Sequence, residues 1–359
     1  MQNEIADILI DWYEKHHRDL PWRRTTDPYK IWISEVILQQ TRVAQGLEYY
    51  HRFTGRFPDV RALAEAPEDE VLCYWQGLGY YSRARNVHAA AKEIMSRFNG
   101  EFPETYEQVR SLKGIGDYTA AAIVSFAYGL PYAAVDGNVY RWLARLFNVD
   151  MPIDSNEGKK FFAGLAQSLL PGDRAGLFNQ ATMEFGALQC TPKSPGCPVC
   201  PFHDRCLASV HGTVEQLPVK KGKTQVKPRW FNYLVIRCSD EIVLGQRTGK
   251  DIWQSLYEYP LIETGQPMEF TELQEKEEFR RLFDGTGEFI LRHVTVMPKH
   301  ILSHRVIYAV FYEFQVKEFS DAMKEKYRVV PEKELGRYAV SRLIDLYREK
   351  REDSQQTIF

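Results

Sequence analysis

Residues 112–120 of the chain are LKGIGDYTA, and the fold is organised around this stretch. Gly114 and Gly116 stand where a backbone turns sharply or lets another group approach closely. Asp117 can cap the helix-favouring segment that follows, and Gly129 ends that segment. The N–H groups and positive dipole at the start of a helix suit a phosphate. We therefore predict a helical hairpin whose turn binds phosphate, with an ordinary helix connection as the alternative.

Two carboxylates are candidates for chemistry. Asp136 follows shortly after the predicted helix, among small and amide residues. Glu35 lies in a segment, 29–45, that we predict to be one helix, on the same face as Ile31 and Leu38. A glutamate on an apolar face is desolvated, which raises its pKa and favours a proton-donating form near neutral pH. The alternative is a glutamate at the edge of the apolar stripe that reaches solvent.

Length and composition predict a soluble protein of two domains, with three as the alternative. The chain has 359 residues, 26% of them charged, and no apolar run long enough to span a bilayer. The amphipathic, acidic N-terminus is not a signal peptide, so we expect a cytoplasmic protein. Residues 214–230 carry five basic residues against one acidic residue, which we interpret as a solvated linker in preference to a binding patch. Those basic residues are Lys220, Lys221, Lys223, Lys227 and Arg229.

Four of the six cysteines lie within a proline-rich loop after the helical region, with spacings of six, two and five residues: Cys190, Cys197, Cys200 and Cys206. Cysteines this dense in an intracellular chain indicate a metal site in preference to disulfides. The spacing alone leaves zinc and an iron–sulfur cluster open.

The pattern changes to alternating β-rich residues after the linker. Strands are predicted at 230–237, 241–246, 289–297 and 306–316, and helices at 270–283 and 340–351. They form an α/β domain of about 130 residues. Its loop 300–304, HILSH, has a hydroxyl and imidazoles that could bind a ligand, although turn residues are the plainer interpretation.

Together these residues resemble the adenine DNA glycosylases of the MutY type, within the helix-hairpin-helix glycosylase superfamily. The resemblance implies an all-α N-terminal helix-hairpin-helix glycosylase region with an iron–sulfur cluster loop, plus an α/β, Nudix-like C-terminal domain. It divides the chain into a helical catalytic region at 1–213, a basic linker at 214–229 and a Nudix-like lesion-recognition domain at 230–359. The first region would contain a six-helix barrel with the hairpin and a 4Fe–4S module at 188–208, held by the four clustered cysteines.

The implied activity is excision of adenine opposite 8-oxoguanine, and more weakly opposite guanine, from double-stranded DNA by base flipping. Glu35 would protonate the purine and later activate water, while Asp136 would stay ionised beside the sugar cation and form a transient covalent adduct. Asn138 and Tyr118 would orient Asp136 and the water. Endonuclease III-type relatives have a lysine where Tyr118 stands, and a tyrosine forms no Schiff base, so we expect no lyase step.

The resemblance also implies binding residues. The adenine pocket would comprise Trp22, Arg23, Leu38, Val43 and Gln180. The opposite strand and the lesion would contact Gln40, Thr41, Leu78, Tyr80, Ser303 and His304, and the hairpin residues Lys113, Gly114 and Gly116 would bind phosphate. We expect a monomeric, nucleoid-associated protein with no membrane partner.

The chain departs from the family pattern at two positions. Lys113 replaces a common proline, a change that is either harmless or adds a phosphate contact. Leu302 replaces the phenylalanine of a Phe-Ser-His triplet, which should weaken the packing of this loop and with it lesion discrimination. The carboxylate run of working Nudix hydrolases is missing, which argues against catalysis in the C-terminal domain. A thymine or uracil mismatch glycosylase and a non-enzymatic lesion-binding protein are the alternatives.

Overall fold

The computed structural model describes residues 2–222 and 226–356 and divides into two compact units. The first unit comprises Met1–Glu65 and Asn86–Gly222, and the second comprises Ala66–Arg85 and Lys223–Phe359. The units differ from the predicted domains at 66–85, which groups with the C-terminal residues. Lys223 of the predicted basic linker lies outside the described residues.

The N-terminal part of the chain is helical, as predicted. Its helices are α1 (Gln2–His16), α2 (Pro28–Leu38), α3 (Val43–Arg56), α4 (Val60–Glu65), α5 (Glu68–Trp75), α6 (Ser82–Arg97), α7 (Tyr106–Ser111), α8 (Asp117–Tyr128), α9 (Gly137–Leu146), α10 (Asn156–Leu169), α11 (Ala175–Leu188) and α12 (Leu207–His211). The prediction of one helix over 29–45 is wrong. α2 ends at Leu38, and Gln40 has a left-handed backbone with φ 62°, which no helix accommodates.

The hairpin consists of α7, a turn and α8. Gly114 has φ 77°, a left-handed backbone conformation that favours glycine. A Cβ there would also lie 2.5 Å from a side-chain carbon of Asn86, so both the backbone and the available space require glycine. Gly116 faces open space, where a ligand could approach its backbone. The N-cap of α8 is Gly116, so the expectation that Asp117 caps this helix is wrong. Asp117 is the first helical residue, and its carboxylate forms an ion pair with Arg110.

Two groups of contacts form the core of the first unit. α8 is rich in alanine, is buried from Thr119 to Ser125, and packs against α2, α7 and α11. The small side chains let three helices approach it closely. A second cluster, which includes Leu9, Trp142 and Phe178, joins α1, α9 and α11. These contacts fix α2, α8, α9 and α11, the helices that bear the candidate site.

The second unit is built on a mixed sheet. Its strands are β1 (Lys227–Cys238), β2 (Glu241–Gln246), β3 (Tyr257–Glu258), β4 (Leu261–Thr264), β5 (Phe289–Val296), β6 (His300–Ile301), β7 (Arg305–Val316) and β8 (Arg328–Pro331). The main order is β3-β2-β1-β7-β5, with β4 beside β1, β6 beside β7 and β8 beside β2. β1 and β7 are parallel over 11 residue pairs, and the other pairs are antiparallel.

The helices of this unit are α13 (Phe270–Gln274), α14 (Glu277–Phe283), α15 (Asp321–Lys326) and α16 (Arg342–Gln356). The four predicted strands correspond to β1, β2, β5 and β7, whereas the four short strands were not foreseen. The predicted helix at 270–283 is two helices, because the backbone is extended at Lys276.

The segment Ala66–Arg85 is bound into the second unit by side-chain hydrogen bonds. The Tyr257 hydroxyl donates to Asp69 at 2.9 Å, and the Tyr81 hydroxyl donates to the Val340 carbonyl at 3.0 Å. The Gln76 amide donates to Asp345 at 2.8 Å. Because the partners are separated by up to 269 residues, no local sequence pattern could indicate that this segment groups with the C-terminal residues.

Candidate active site

The first unit contains a cavity of about 790 Å³. Its lining includes every residue predicted for catalysis and for the adenine pocket, namely Glu35, Asp136, Asn138, Tyr118, Trp22, Arg23, Leu38, Val43 and Gln180, together with Gln40 and Thr41. These residues come from separate parts of the chain, so the fold brings the predicted site together. The volume is in the range of cavities that bind small organic molecules.

Glu35 lies on α2, whose first turn is capped by Asp27. The glutamate is 7% exposed, and burial raises its pKa to about 7. A hydrogen bond from Tyr118 and the charge of Arg23 act in the opposite direction, while Asp136 raises the pKa further. A carboxyl group with this pKa can hold a proton and release it near neutral pH.

Tyr118 lies in the first turn of α8 and faces Glu35. Its hydroxyl donates to Glu35 Oε2 at 2.6 Å and also lies 3.2 Å from the sulfur of Met183. Burial is the main cause that places the pKa of Tyr118 well above its ordinary value. The phenol therefore stays protonated and acts as a hydrogen-bond donor.

Asp136 is the N-cap residue of α9. Its Oδ1 accepts from the N–H groups of Asn138 and Val139 at 2.9 and 2.8 Å, and its Oδ2 accepts from the Asn138 amide at 2.7 Å. Burial raises the pKa of Asp136 above its ordinary value of 3.8, and these donors and Arg141 offset part of that rise. Three donors and a helix N-terminus favour the carboxylate form, in contrast to the single donor at Glu35.

Two amide side chains hold the backbone that leads to Asp136. Asn179, which is 1% exposed, accepts from the Ala134 N–H at 3.0 Å and donates to the Tyr132 carbonyl at 2.8 Å. Gln167 donates to the Pro131 carbonyl at 2.8 Å. These bonds satisfy backbone groups of a segment without regular structure and so fix where Asp136 starts α9.

Gln180 is held by a residue that the sequence did not single out. The Tyr13 hydroxyl donates to Gln180 Oε1 at 2.6 Å, and the Arg23 guanidinium lies over the Tyr13 ring at 5.5 Å. With its oxygen engaged, the Gln180 amide offers its N–H groups to an acceptor in the cavity.

The four clustered cysteines line one small pocket together with Arg145. Within the described chain, no group of three or more metal-binding side chains converges closely enough to hold a single ion. Four sulfurs around a common pocket fit a multinuclear iron–sulfur group. Arg145, 2% exposed, directs Nη1 at Cys190 Sγ at 3.4 Å and donates to the Thr191 carbonyl at 2.7 Å. Arg141 connects this loop to the cavity by donating to the Cys190 carbonyl and to Asn138.

The remaining predicted binding residues do not line this cavity. The hairpin residues Lys113, Gly114 and Gly116 form the turn before α8. In the second unit, the hydroxyls of Tyr80 and Ser303 are hydrogen-bonded at 2.8 Å, and His304 is exposed.

Leu78, one of the residues expected to contact the opposite strand, is packed within the turn before α6. Leu78 is 7% exposed, whereas Tyr80 is 50% exposed, so Tyr80 is the side chain that this turn presents. Insertion of Leu78 between bases would require it to leave its packed position.

Comparison with known proteins identifies the family. Residues 33–164 match the model of the HhH-GPD superfamily of base excision DNA repair proteins, and residues 232–350 match a NUDIX domain. The adenine DNA glycosylase of Buchnera aphidicola subsp. Baizongia pistaciae is 37% identical over 258 residues, which cover 70% of this chain and 72% of that protein. The chain belongs to the adenine DNA glycosylase family. The family assignment drawn from the motifs is therefore confirmed, and its members are hydrolases of N-glycosyl bonds.

Solved structures share the fold of the first part of the chain. A thermostable thymine-DNA glycosylase is 26% identical, with a TM-score of 0.53 over 58% of this chain and 97% of that chain. Endonuclease III in a non-covalent DNA complex is 23% identical, with a TM-score of 0.51 over 59% of this chain and 98% of that chain, which shows a shared fold. The predicted helix-hairpin-helix region and Nudix-like domain are confirmed. None of the helices in the described residues is long and apolar enough to cross a membrane.

Several cavity residues of this family member escaped the sequence analysis. Arg18, Arg141, Met183 and Glu184 line the cavity, but none was predicted. Arg18 lies in a segment that is visibly rich in cations and aromatics, residues 17–24, HRDLPWRR, which could have indicated it. Glu184 is an ordinary helical glutamate in sequence, and only its partners on the folded chain distinguish it.

Proposed function

We propose that the protein removes adenine paired with 8-oxoguanine, and more slowly adenine paired with guanine, from double-stranded DNA. The observation that carries the proposal is the pair of carboxyl groups in one cavity. Glu35 has a pKa raised to about 7, and Asp136 is surrounded by donors. Cleavage of a glycosidic bond uses this combination, in which one group gives a proton and the other stabilises a cation.

Adenine is a poor leaving group, so the bond to C1′ breaks readily only when the base is protonated. Glu35 gives its proton to the flipped adenine, and the bonding electrons leave with the neutral base. Asp136 stabilises the resulting oxocarbenium-like sugar and bonds to it transiently. Glu35, now a carboxylate, takes a proton from the water that completes hydrolysis. Asn138 holds Asp136, and Tyr118 holds Glu35, at the distances given above.

The product is an abasic site with an intact strand, because Tyr118 occupies the position at which bifunctional relatives have a lysine. A phenol cannot form the imine that leads to β-elimination. The pocket for the flipped base consists of Trp22, Arg23, Leu38, Val43 and Gln180.

The DNA contacts extend beyond the cavity. Lys113, Gly114 and Gly116 bind phosphate at the start of α8. Gln40, Thr41, Leu78 and Tyr80 occupy the space beside the orphaned base. Ser303, next to His304, hydrogen-bonds 8-oxoguanine. We further infer a monomer that acts on chromosomal DNA inside the cell.

The cysteines Cys190, Cys197, Cys200 and Cys206 hold a 4Fe–4S cluster in this proposal. When bound, the cluster supplies four metal–thiolate bonds that cross-link a loop with little regular structure. Arg145 stabilises the same loop through its hydrogen bonds to Cys190 and Thr191.

The test is a single-turnover incubation with a duplex that contains one adenine opposite 8-oxoguanine, followed by hot alkali. We expect free adenine, and breakage of the adenine strand only after alkali. Breakage without alkali would show lyase chemistry and contradict the assignment of Tyr118. Release of thymine or uracil from mismatches without release of adenine, or binding without release of any base, would overturn the proposed substrate.

A further inference from the structure

Glu184 of α11 lines the cavity, is 1% exposed and has no part in the steps above. Its Oε1 accepts from the backbone N–H and the Nε of Arg18, each at 2.8 Å, and from Arg23 Nη1 at 3.0 Å. Its Oε2 accepts from Arg23 Nη2 at 2.7 Å and from Arg18 Nη2. A carboxylate has about four acceptor sites, so the two arginines occupy all of them. Glu184 therefore affects a bound base only through these arginines.

The two arginines are held from several sides. Arg23 Nη1 also donates to the Arg18 carbonyl at 2.8 Å, and its guanidinium lies over the Tyr13 ring. Both arginines line the cavity beside Trp22. A planar guanidinium paired through its fork has a defined orientation, which a lysine or an unpaired arginine would lack.

The charges around the cavity leave Glu35 sensitive to Arg23. The cations that line it are Arg18, Arg23, Arg42 and Arg141, and the acids are Glu35, Asp136 and Glu184, with the phenol of Tyr118 beside Glu35. The phenol of Tyr13 lies beneath Arg23. Arg23 lowers the pKa of Glu35, and Glu184 is the carboxylate paired with Arg23.

We propose that Glu184 is a positioning residue of the adenine pocket. It fixes the guanidinium groups of Arg18 and Arg23 beside the flipped base. It also neutralises positive charge that would otherwise favour the ionised form of Glu35. This inference rests on the proposed function, because it assigns Glu184 a role in the same adenine-releasing site.

A merely structural role makes a different prediction. Removing one partner of a buried ion pair leaves an uncompensated charge and destabilises the fold, so it changes how much protein is folded. It does not change the pH at which the folded enzyme loses its activity. The pH dependence of adenine release therefore separates the two roles.

The experiment measures single-turnover adenine release between pH 5.5 and 9 for the wild type, Glu184→Gln and Glu184→Asp, with an adenine:8-oxoguanine duplex. For Glu184→Gln we expect a loss of about 10-fold to 100-fold at pH 7, since small misplacements have effects of this size. We also expect the decline at alkaline pH to begin about one pH unit lower, because unpaired arginine charge favours ionised Glu35. Glu184→Asp keeps the charge, so its rate should fall while the decline stays at the wild-type pH.

The matched control is Glu258→Gln in the second unit, where a partly buried glutamate accepts two hydrogen bonds from Arg247 at 2.9 and 2.8 Å. It should leave the pH profile unchanged. If Glu184→Gln does not fold, Arg23→Met tests the same claim, and its decline should move to higher pH because Arg23 lowers the pKa of Glu35.

Wild-type profiles in Glu184→Gln, or in Arg23→Met when that variant is used, would overturn the inference. Failure of the wild type itself to release adenine would instead contradict the proposed function.

Discussion

Glu35 and Glu184 line the same cavity from different helices, α2 and α11, and both are buried. Burial raises the pKa of Glu35 to about 7, whereas hydrogen bonds and charge from Arg18 and Arg23 overcome burial and lower the pKa of Glu184 to about 2. Glu35 accepts a hydrogen bond from the phenol of Tyr118, whereas Glu184 is paired with the guanidinium groups of Arg18 and Arg23. The hydrogen-bonding and charged neighbours of each glutamate, more than its burial, decide whether it is protonated near neutral pH.

This difference in pKa gives the two glutamates different roles in the site. A glutamate that is neutral near pH 7 can give a proton to a leaving base. A glutamate that is ionised throughout the physiological range can hold cations in place but has no proton to give. The predictions that follow change one side of the cavity at a time.

The largest expected effect is on catalysis by Glu35→Gln. The amide has nearly the same shape but cannot donate a carboxyl proton, so adenine release should fall by about 10²-fold to 10⁴-fold. Binding of the adenine:8-oxoguanine duplex should stay within about twofold of the wild type, because the surface that contacts DNA is retained. Rates come from single-turnover assays and affinities from a fluorescence titration. Glu14→Gln, which alters an exposed glutamate of α1, is the control and should behave as the wild type.

The next effect is on stability, with opposite signs for the two glutamates. The folded pKa of Glu35 lies above its ordinary value of 4.5, so ionisation weakens the fold as pH rises from 4.5 through 7. Glu35→Gln should therefore be about 3 kcal/mol more stable than the wild type at pH 8 and equal to it near pH 4. Denaturant unfolding at both pH values measures this difference.

Glu184→Gln should have the reverse effect. The folded pKa of about 2 lies below 4.5, so Glu184 stabilises the fold above pH 4.5, and this contribution disappears as pH falls towards 2. The variant should lose about 3 kcal/mol at pH 7. If Glu35→Gln and Glu184→Gln changed the free energy of unfolding in the same direction at neutral pH, the contrast between the two glutamates would be contradicted.

A smaller effect is expected for Tyr118→Phe. The hydroxyl lowers the pKa of Glu35 by donating to its carboxylate, so removing it should raise that pKa further. The alkaline decline of adenine release should then move to higher pH. The rate at pH 7 should fall by about 10-fold or less, as expected for the loss of one hydrogen bond to a charged group. An unchanged decline would indicate that this bond has no bearing on the proton at Glu35.

The smallest effect is expected outside the cavity, for Ser303→Ala in the second unit. Loss of a single hydrogen bond to the lesion should reduce the preference for 8-oxoguanine over guanine by about fivefold. The pH profile should not change, since Ser303 does not line the cavity. Tyr308→Phe, another partly exposed hydroxyl of that unit, is the control. An altered pH profile in Ser303→Ala would contradict the claim that recognition of 8-oxoguanine is independent of acid catalysis.

The sequence predicted the α2 side of the site better than the α11 side. Apolar neighbours one turn away marked Glu35 as desolvated, and the hairpin motif located Tyr118 and the start of α8. The partners of Glu184 are 161 and 166 residues away in the chain, so nothing local distinguished it. Periodicity also missed the break at Gln40, because an unusual φ leaves no trace in an apolar pattern.

Prediction from sequence had similar limits in the second unit. Strands long enough to show alternation, such as β1 and β7, were predicted, whereas two-residue strands such as β3 were not. The grouping of Ala66–Arg85 with the C-terminal residues depends on contacts such as that between Gln76 and Asp345. Such pairings are properties of the folded chain and have no local signature.

The most direct test of the central claim is the pH dependence of single-turnover adenine release by the wild type, from pH 5.5 to 9. If protonated Glu35 supplies the proton, the rate should be nearly constant below pH 6 and fall about tenfold per pH unit above the pKa of about 7. The residual rate of Glu35→Gln should show no such decline. A wild-type rate that stays constant to pH 9, or a Glu35→Gln variant that retains the decline, would contradict this account.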